Sequence, residues 1–410
     1  EGWVRVEPGV IRDELNHVLK EYGFFFGPNT STANRAMIGG MVGNNSCGTT
    51  SIVYGSTRDH VQELEVVLSD GSTAVFHGLD EAGFRQKLEA EGLEGDIYRH
   101  LNQTLSVPER QAAIREAFPK ASIERRNTGY AIDLLIEQQP FDKAGRPFNF
   151  CELLCGSEGT LAFTTAIKIH VDPLPKPKEI VVCAHFNSIP ESLEAVLVAM
   201  SFQPSACELM DKIILDLTKQ NIEQKKNRFF VEGDPEGILM VEFRGDTFEE
   251  ARDQGKAMIA ALEDAGLGYA YPIVEAPKTK QAWDLRKAGL GLLANIPGDA
   301  KPVACIEDTA VDIKDLPAYI KEFDQLMANF GQQAVYYAHA GAGELHLRPI
   351  LDLKTAEGQR LFYEITKAVA ELVKKYNGSL SGEHGDGRVR AEFIPLMIGE
   401  YNYEYLRQIK

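Results

Sequence analysis

Two imidazoles, His339 and His346, flank the small-residue turn Ala340-Gly341-Ala342-Gly343 in the run YYAHAGAGELHLR, and further along Glu383-His384 sit side by side in a second glycine-flanked bend, SGEHGDGR. On an unbroken strand two residues an odd number apart point to opposite faces, so only a glycine-permitted fold-back brings both imidazoles to one point. With Glu383 they would form a set of two imidazoles and one carboxylate, suited to a borderline divalent cation that keeps coordination positions open for a substrate. The alternative is surface histidines in ordinary turns, because H-x6-H is not a stock metal spacing.

The rest of the chain bounds what such a site could serve. Its 410 residues, 44% hydrophobic and 25% charged, predict two or three soluble domains with substantial cores rather than disorder. The balance of 43 basic against 60 acidic residues, net −17, repels nucleic acid and anionic lipid, so an anionic ligand must be held by locally concentrated Arg or Lys. Six cysteines, scattered through apolar segments without a paired framework, read as buried thiols of a reducing compartment. No apolar run approaches the roughly 18 residues that span a bilayer, and no signal peptide opens the chain. The opening EGWVRVEPGV reads as a strand already in progress without an initiator Met, so a piece of a longer polypeptide is expected.

The elements that must position the site follow from periodicity. Ile11, Leu15, Val18 and Tyr22 predict a short amphipathic helix over 11–22. Residues 27–55 hold six glycines among Ser, Thr and Asn, too many for a core element, and supply backbone N–H groups that approach a phosphate or a planar ring closely. The apolar pairs Met37-Ile38 and Met41-Val42 argue against a solvated linker there. Leu64–Leu68, the turn Ser69-Asp70-Gly71 and Thr73–Phe76 predict a hairpin. After the stiff junction Pro173, Pro175 and Pro177, strands at Ile180–Phe186 and Ile238–Phe243 alternate with helices at 192–202, 248–262 and 316–330, a βαβ-type sheet read as antiparallel and ferredoxin-like. A helix over roughly 356–376 precedes the final segment.

At this point particular motifs carry a resemblance. The run IGGMVGNN at 38–45, Tyr54-Gly55 and the hairpin resemble the second half of the FAD-binding domain of the vanillyl-alcohol-oxidase-type flavoproteins. NTGY at 127–130 and GSEGTL at 156–161 resemble the segments that close this domain in its D-2-hydroxyacid dehydrogenases. CELMD at 207–211, Trp283-x-x-Arg286 and the histidine segments extend the resemblance across the chain. It is most similar to the FAD-linked oxidase part of large bacterial enzymes that act on D-2-hydroxyglutarate or D-lactate and carry an iron–sulfur domain after that part. The resemblance implies an α+β protein: a partial PCMH-type FAD-binding domain over 1–175 lacking its N-terminal portion, a ferredoxin-like α/β cap domain over 176–376, and a return segment over 377–410. The family's pyrophosphate loop, expected before Glu1, and its cysteine-rich iron–sulfur region, expected after Lys410, are not among these residues.

For the site, the resemblance implies His339, His346 and Glu383 as ligands of Zn, Mn or Fe and His384 as the base that takes the hydroxyl proton. An imidazole suits that task, since its ordinary pKa of about 6.5 leaves it largely neutral at pH 7. Arg286 corresponds to the carboxylate-gripping arginine, against the alternative of a helix-surface arginine paired with Asp284 or Glu275, and Lys301 and Arg348 are further carboxylate contacts. FAD would lie against Pro28, Ser31, Thr32, Gly39, Gly40, Gly43, Asn44, Asn45, Gly48, Tyr54, Gly55, Glu158, Gly159 and Leu161. Some hydroxyglutarate-specific relatives carry a hydroxyl and an Asn where this chain has Leu290 and Arg348. Arg348 favours a second, distal carboxylate, and Leu290 a smaller or more apolar tail. The implied partners are a 2-hydroxy acid and a downstream acceptor (quinone, cytochrome or electron-transfer protein), with a homo-oligomer left open, in the cytoplasm or peripheral at the inner membrane. Two other classes stay open: a non-catalytic flavin- or metal-binding remnant, and an alcohol oxidase with covalent FAD, for which the glycine-rich region offers only Cys47.

Overall fold

The computed structural model describes residues 2–410; Glu1, the first residue of the expected opening strand, lies outside them. That strand is Trp3–Val6 (β1), and the first helix is Arg12–Lys20 (α1), burying Leu15 and Leu19. The glycine-rich stretch differs from the expectation of a segment without a core element. Ile38–Asn44 (α2) is helical because Ile38, Met41 and Val42 recur on one face and are buried, while Gly39 packs on Pro8 and Gly40 leaves its position bare. The hairpin is Val61–Val67 (β2) and Thr73–His77 (β3), closed by Ser72, whose N–H and hydroxyl donate to Asp70 Oδ1. Ala74 and Phe76 face the core and Thr73, Val75 and His77 face water, the period of two that fixes register. Pro108–Ala117 (α3), with proline at its first turn, follows, and Phe163–His170 (β4) completes an antiparallel sheet in the order β1-β4-β2-β3.

The larger sheet begins with Lys178–Phe186 (β5), followed by Ile189–Met200 (α4), Ala206–Asp211 (β6), Lys212–Gln220 (α5), Gly237–Gly245 (β7), Phe248–Asp264 (α6) and Ile273–Glu275 (β8). These strands pair antiparallel in the order β8-β5-β7-β6, with α4 and α6 as the crossovers of a ferredoxin-like unit. Side-chain caps set where both helices start: Ser188 accepts from the Glu191 N–H and Thr247 from the Glu250 N–H. β5 reads as one apolar run, without alternation, because both of its faces are covered. Ile180, Val182 and Ala184 join the core under α4 and α6, while Val181 and Cys183 meet Leu215 of α5 and Ala282 and Leu285 of Thr279–Ala294 (α7).

Ile306–Ala310 (β9), Leu316–Asn329 (α8), Ala334–Ala338 (β10) and Glu344–Leu351 (β11) extend this sheet, β10 beside β6 and β11 beside both β10 and β9. Ala356–Lys375 (α9) leads to the bend that carries Glu383. The last helix, Ile394–Ile409 (α10), broken at Gly399, packs on α3. There Asn402 donates to the Ala113 carbonyl at 3.0 Å and the Arg110 guanidinium lies 3.4 Å over the Tyr401 ring, so the chain's end returns to the first half of the molecule. All six cysteines are free and buried, and no helix among the described residues is long and apolar enough to cross a membrane.

One core group ties stability to pH. His185 on β5 is fully buried; its Nδ1 meets the Cys183 carbonyl at 2.8 Å, its Nε2 accepts the Glu232 N–H at 3.1 Å, and the Tyr269 ring packs edge-on. Burial lowers its pKa from the ordinary 6.5, so the folded state holds it neutral while the unfolded chain takes a proton as the pH falls below that value. Its contribution is therefore fully present above about pH 6.5 and lost progressively below it. The urea midpoint of the wild type is expected to fall more between pH 7.5 and 5.5 than that of His185→Gln; equal slopes would contradict this.

Candidate active site and metal centre

β10 and β11 form a hairpin that brings His339 and His346 together. The turn Ala340–Ala342 ends at Gly343, where a φ of 71° and the Val311 carbonyl, 2.1 Å from where a Cβ would sit, leave room for glycine alone. Tyr337 pairs with His346 across the hairpin, and the two imidazole centroids lie 5.2 Å apart. Glu383 arrives from the far bend. Its Oε1 is 3.2 Å from His339 Nε2, 3.6 Å from His346 Nε2 and 3.5 Å from His384 Nε2.

Each ligand candidate is aimed by a second contact. His339 Nδ1 lies 2.7 Å from Glu208 Oε1, and His346 Nδ1 lies 2.6 Å from the Glu307 carbonyl, so both rings turn Nε2 toward Glu383. Glu383 Oε2 accepts from Arg125 Nη1 at 2.7 Å and faces the Cys47 thiol at 3.7 Å. Ligand atoms of His339, Glu344, His346 and Glu383 all lie within 4.8 Å of one another, as do those of Asp308, His346, Glu383 and His384. This donor set, nitrogen and carboxylate with both histidines oriented from behind, fits a zinc-, manganese- or iron-type cation.

The charges are sorted by surroundings. Burial opposes ionisation of Glu383, but His339 and Arg125 hold its carboxyl well below the ordinary range. Glu344 shares the same Arg125 Nη1 at 2.9 Å, yet burial and Glu383 push it well above that range, so it carries the proton of the pair. Burial works against a charge on His339, and Glu208 and Glu383 nevertheless raise it to about 9. His346 is pushed well below 6.5 by burial and by His384 and His339. For His384 burial is outweighed by Asp308, Glu307 and Glu383, which raise it to about 12.

A cavity of about 340 Å³ opens onto this cluster, lined by both histidines, Glu383, His384, Tyr337, Arg286, Lys287, Leu290 and Arg348. Arg286 projects from α7 and binds Glu208, the carboxylate that also holds His339, while its Nε and that of Arg348 are buried without a partner among the described residues. Asp284 and Glu275 are instead taken by Lys280 and Arg252, so the surface-pair alternative for Arg286 does not hold. Lys301 is not brought in: its ammonium binds the Ile296 carbonyl, at the end of β11 remote from His346.

The expected flavin residues divide. Gly39, Gly40, Gly43 and Gly159 line a second cavity of about 490 Å³. A Cβ on Gly40 would meet nothing within 4 Å, so this mid-helix glycine fills no packing need within the chain and leaves backbone bare to a close-lying group, as a flavin requires. Ser31, Thr32, Asn44 and Gly48 line the histidine cavity. The others lie outside both. Pro28 gives its carbonyl to Arg12, Asn45 accepts from the Arg58 N–H, Tyr54 packs on Phe25, Gly55 abuts the Asp59 cap, Glu158 faces the Gly387 N–H, and Leu161 lines a separate apolar pocket.

Sequence reasoning passed over Arg125, Glu208, Glu307, Asp308 and Glu344 as site residues. Asp308 is fully buried and accepts from the N–H groups of Glu383 and His384 and from the Ser381 hydroxyl, which shapes the bend. Glu344 had a usable signal, since i and i+2 on a strand share a face with His346.

Comparisons with known proteins bear on the family and the fold. Residues 175–410 match the family described as FAD linked oxidases, C-terminal domain, and residues 1–76 match an FAD binding domain. Proteins named D-2-hydroxyglutarate dehydrogenase from Pseudomonas putida and Escherichia coli are 36% and 33% identical over all of this chain, which spans 40% of their length. A D-lactate dehydrogenase of Archaeoglobus fulgidus is 25% identical over 98% of this chain and 72% of its own. Among solved structures, p-cresol methylhydroxylase with substrate bound superposes with a TM-score of 0.61 at 13% identity, covering 100% of this chain and 73% of the other, a likeness of fold alone. The α+β architecture, its glycine-lined groove and the matched domains together show that the chain belongs to the FAD-linked oxidases.

Proposed function

We propose that this chain performs the FAD-dependent oxidation of a D-2-hydroxy acid to the 2-oxo acid, with a dicarboxylic acid of the 2-hydroxyglutarate type as substrate. The observation that carries the reading is one cavity in which two back-anchored imidazoles and an ionised carboxylate converge beside two arginines with uncommitted donors. The names of the relatives, D-2-hydroxyglutarate dehydrogenase at 33–36% identity, support the same substrate class.

His339, His346 and Glu383 would hold the cation, and Gly40, Gly43 and Gly159 would border the flavin. Bound there, the cation would supply Lewis acidity and the flavin a hydride acceptor. Arg286 grips the carboxylate next to the reacting carbon, its planar fork suiting a bidentate pair. Arg348, two residues beyond His346, takes the distal carboxylate. His384 commits Nδ1 to Glu307 and takes the hydroxyl proton at Nε2. Glu383 is among the carboxylates that raise His384, and a cation on Glu383 would remove this support and free the nitrogen.

Three measurements test the reading. Elemental analysis is expected to find a Zn-, Mn- or Fe-type ion in the wild type and little in His346→Ala; equal metal in the two would end the ligand assignment. In the flavin-loaded protein, His384→Asn is expected to keep metal while flavin reduction slows on the order of 10² to 10⁴-fold; near-normal reduction would remove it from the reaction. Arg348→Met should cost D-2-hydroxyglutarate about 10- to 100-fold in kcat/KM, the worth of one charged hydrogen-bonded contact, and leave D-lactate nearly unchanged. Equal losses on both would reject the distal-carboxylate role.

A further inference from the structure

One residue touches two of the active-site imidazoles from behind. Glu307, on β9 and 5% exposed, offers two separate acceptors. Its backbone carbonyl meets His346 Nδ1 at 2.6 Å, and its carboxylate Oε1 lies 3.2 Å from His384 Nδ1. The other carboxylate oxygen is held at 3.2 Å by Arg390 Nη1, while Arg390 Nη2 donates to the Gly385 carbonyl, inside the bend that carries His384. His346 and His384 stack with centroids 5.0 Å apart and planes at 25°, and both rings direct Nε2 at Glu383 Oε1. An acceptor at Nδ1 keeps the hydrogen of a neutral imidazole on that nitrogen, so Nε2 is the one left with a lone pair. A ligand and a base both need that lone pair, facing the same point.

We propose that Glu307 is the positioning residue that sets the tautomer and aim of both rings, its carbonyl serving His346 and its Arg390-anchored carboxylate serving His384. The assignment rests on the reading of His346 as a ligand and His384 as the base. Its two arms are separable by chemistry. A side-chain substitution removes the carboxylate and leaves the carbonyl, so the base should lose its orientation while the metal ligand keeps its own. General damage to the site would disturb both.

The test is Glu307→Ala in the flavin-loaded protein, which removes the side-chain acceptor. The rate of flavin reduction by D-2-hydroxyglutarate is expected to fall 10- to 100-fold while metal content and substrate dissociation constant stay within about twofold, the usual range for partners behind such ligands. Glu307→Asp, which keeps the charge but withdraws it by one methylene, should recover part of the rate. An unchanged rate, or loss of metal together with rate, overturns the assignment. Should Glu307→Ala fail to fold, Arg390→Gln releases the carboxylate's other oxygen and is expected to show the same split, with an unchanged rate again overturning it. A wild type that neither binds metal nor is reduced by any 2-hydroxy acid would instead defeat the functional reading beneath it.

Discussion

The guanidinium of Arg125 is the interaction on which the site depends. It is 3% exposed at the side chain and bonds the Gly48 carbonyl, the Ser51 hydroxyl, Glu344 and Glu383, so one group joins the glycine-rich loop, the histidine hairpin and the far bend. Two carboxylates this close in a dry interior cannot both ionise without a cation. Arg125 bonds both, and His339 on Glu383 Oε1 tips the pair, leaving Glu383 charged and Glu344 protonated. Deleting one partner from such a buried set typically costs about 3–5 kcal/mol, because the remaining charge has no water to turn to. The cavity chemistry is therefore bound up with the stability of the junction between the two halves of the chain.

The ferredoxin-like sheet contributes precision to the same end. β6 delivers Glu208, β9 Glu307 and Asp308, and β11 Glu344 and His346, all from strands whose positions are fixed by ladder hydrogen bonds. Groups held on strands move less than groups on loops, whereas His339 sits just past the end of β10 and Arg125, Glu383 and His384 come from irregular segments. That bend is itself pinned by Asp308 at two backbone N–H groups.

Much of this was legible in the residues. The helices at 248–264, 316–329 and 356–375 follow their apolar periods, and the convergence of His339 and His346 follows from the glycine turn between them. What stayed hidden is tertiary. Arg125 and Glu383 are 258 positions apart, and no local pattern marks them as partners. Asp308 and Glu307 look like ordinary acids in an apolar strand until the bend closes over them. The glycine-rich stretch was read as backbone without a core element because glycine count outweighed the Ile38, Met41, Val42 spacing. Lys301 misled because its charge suits a carboxylate, while its short strand at the end of β11 points it to a carbonyl instead.

Helix α2 serves two neighbours at once. Gly40 and Gly43 face the groove, while Asn44 at its last turn donates to the His384 carbonyl at 2.9 Å and its own carbonyl accepts from Asn127 at 2.6 Å. A ligand that stiffens this helix from the groove side stiffens the bend of His384 through the same residue, and thermodynamic reciprocity requires the converse. Groove and histidine cavity thus share a strut, and filling either one prepays part of the ordering cost of the other.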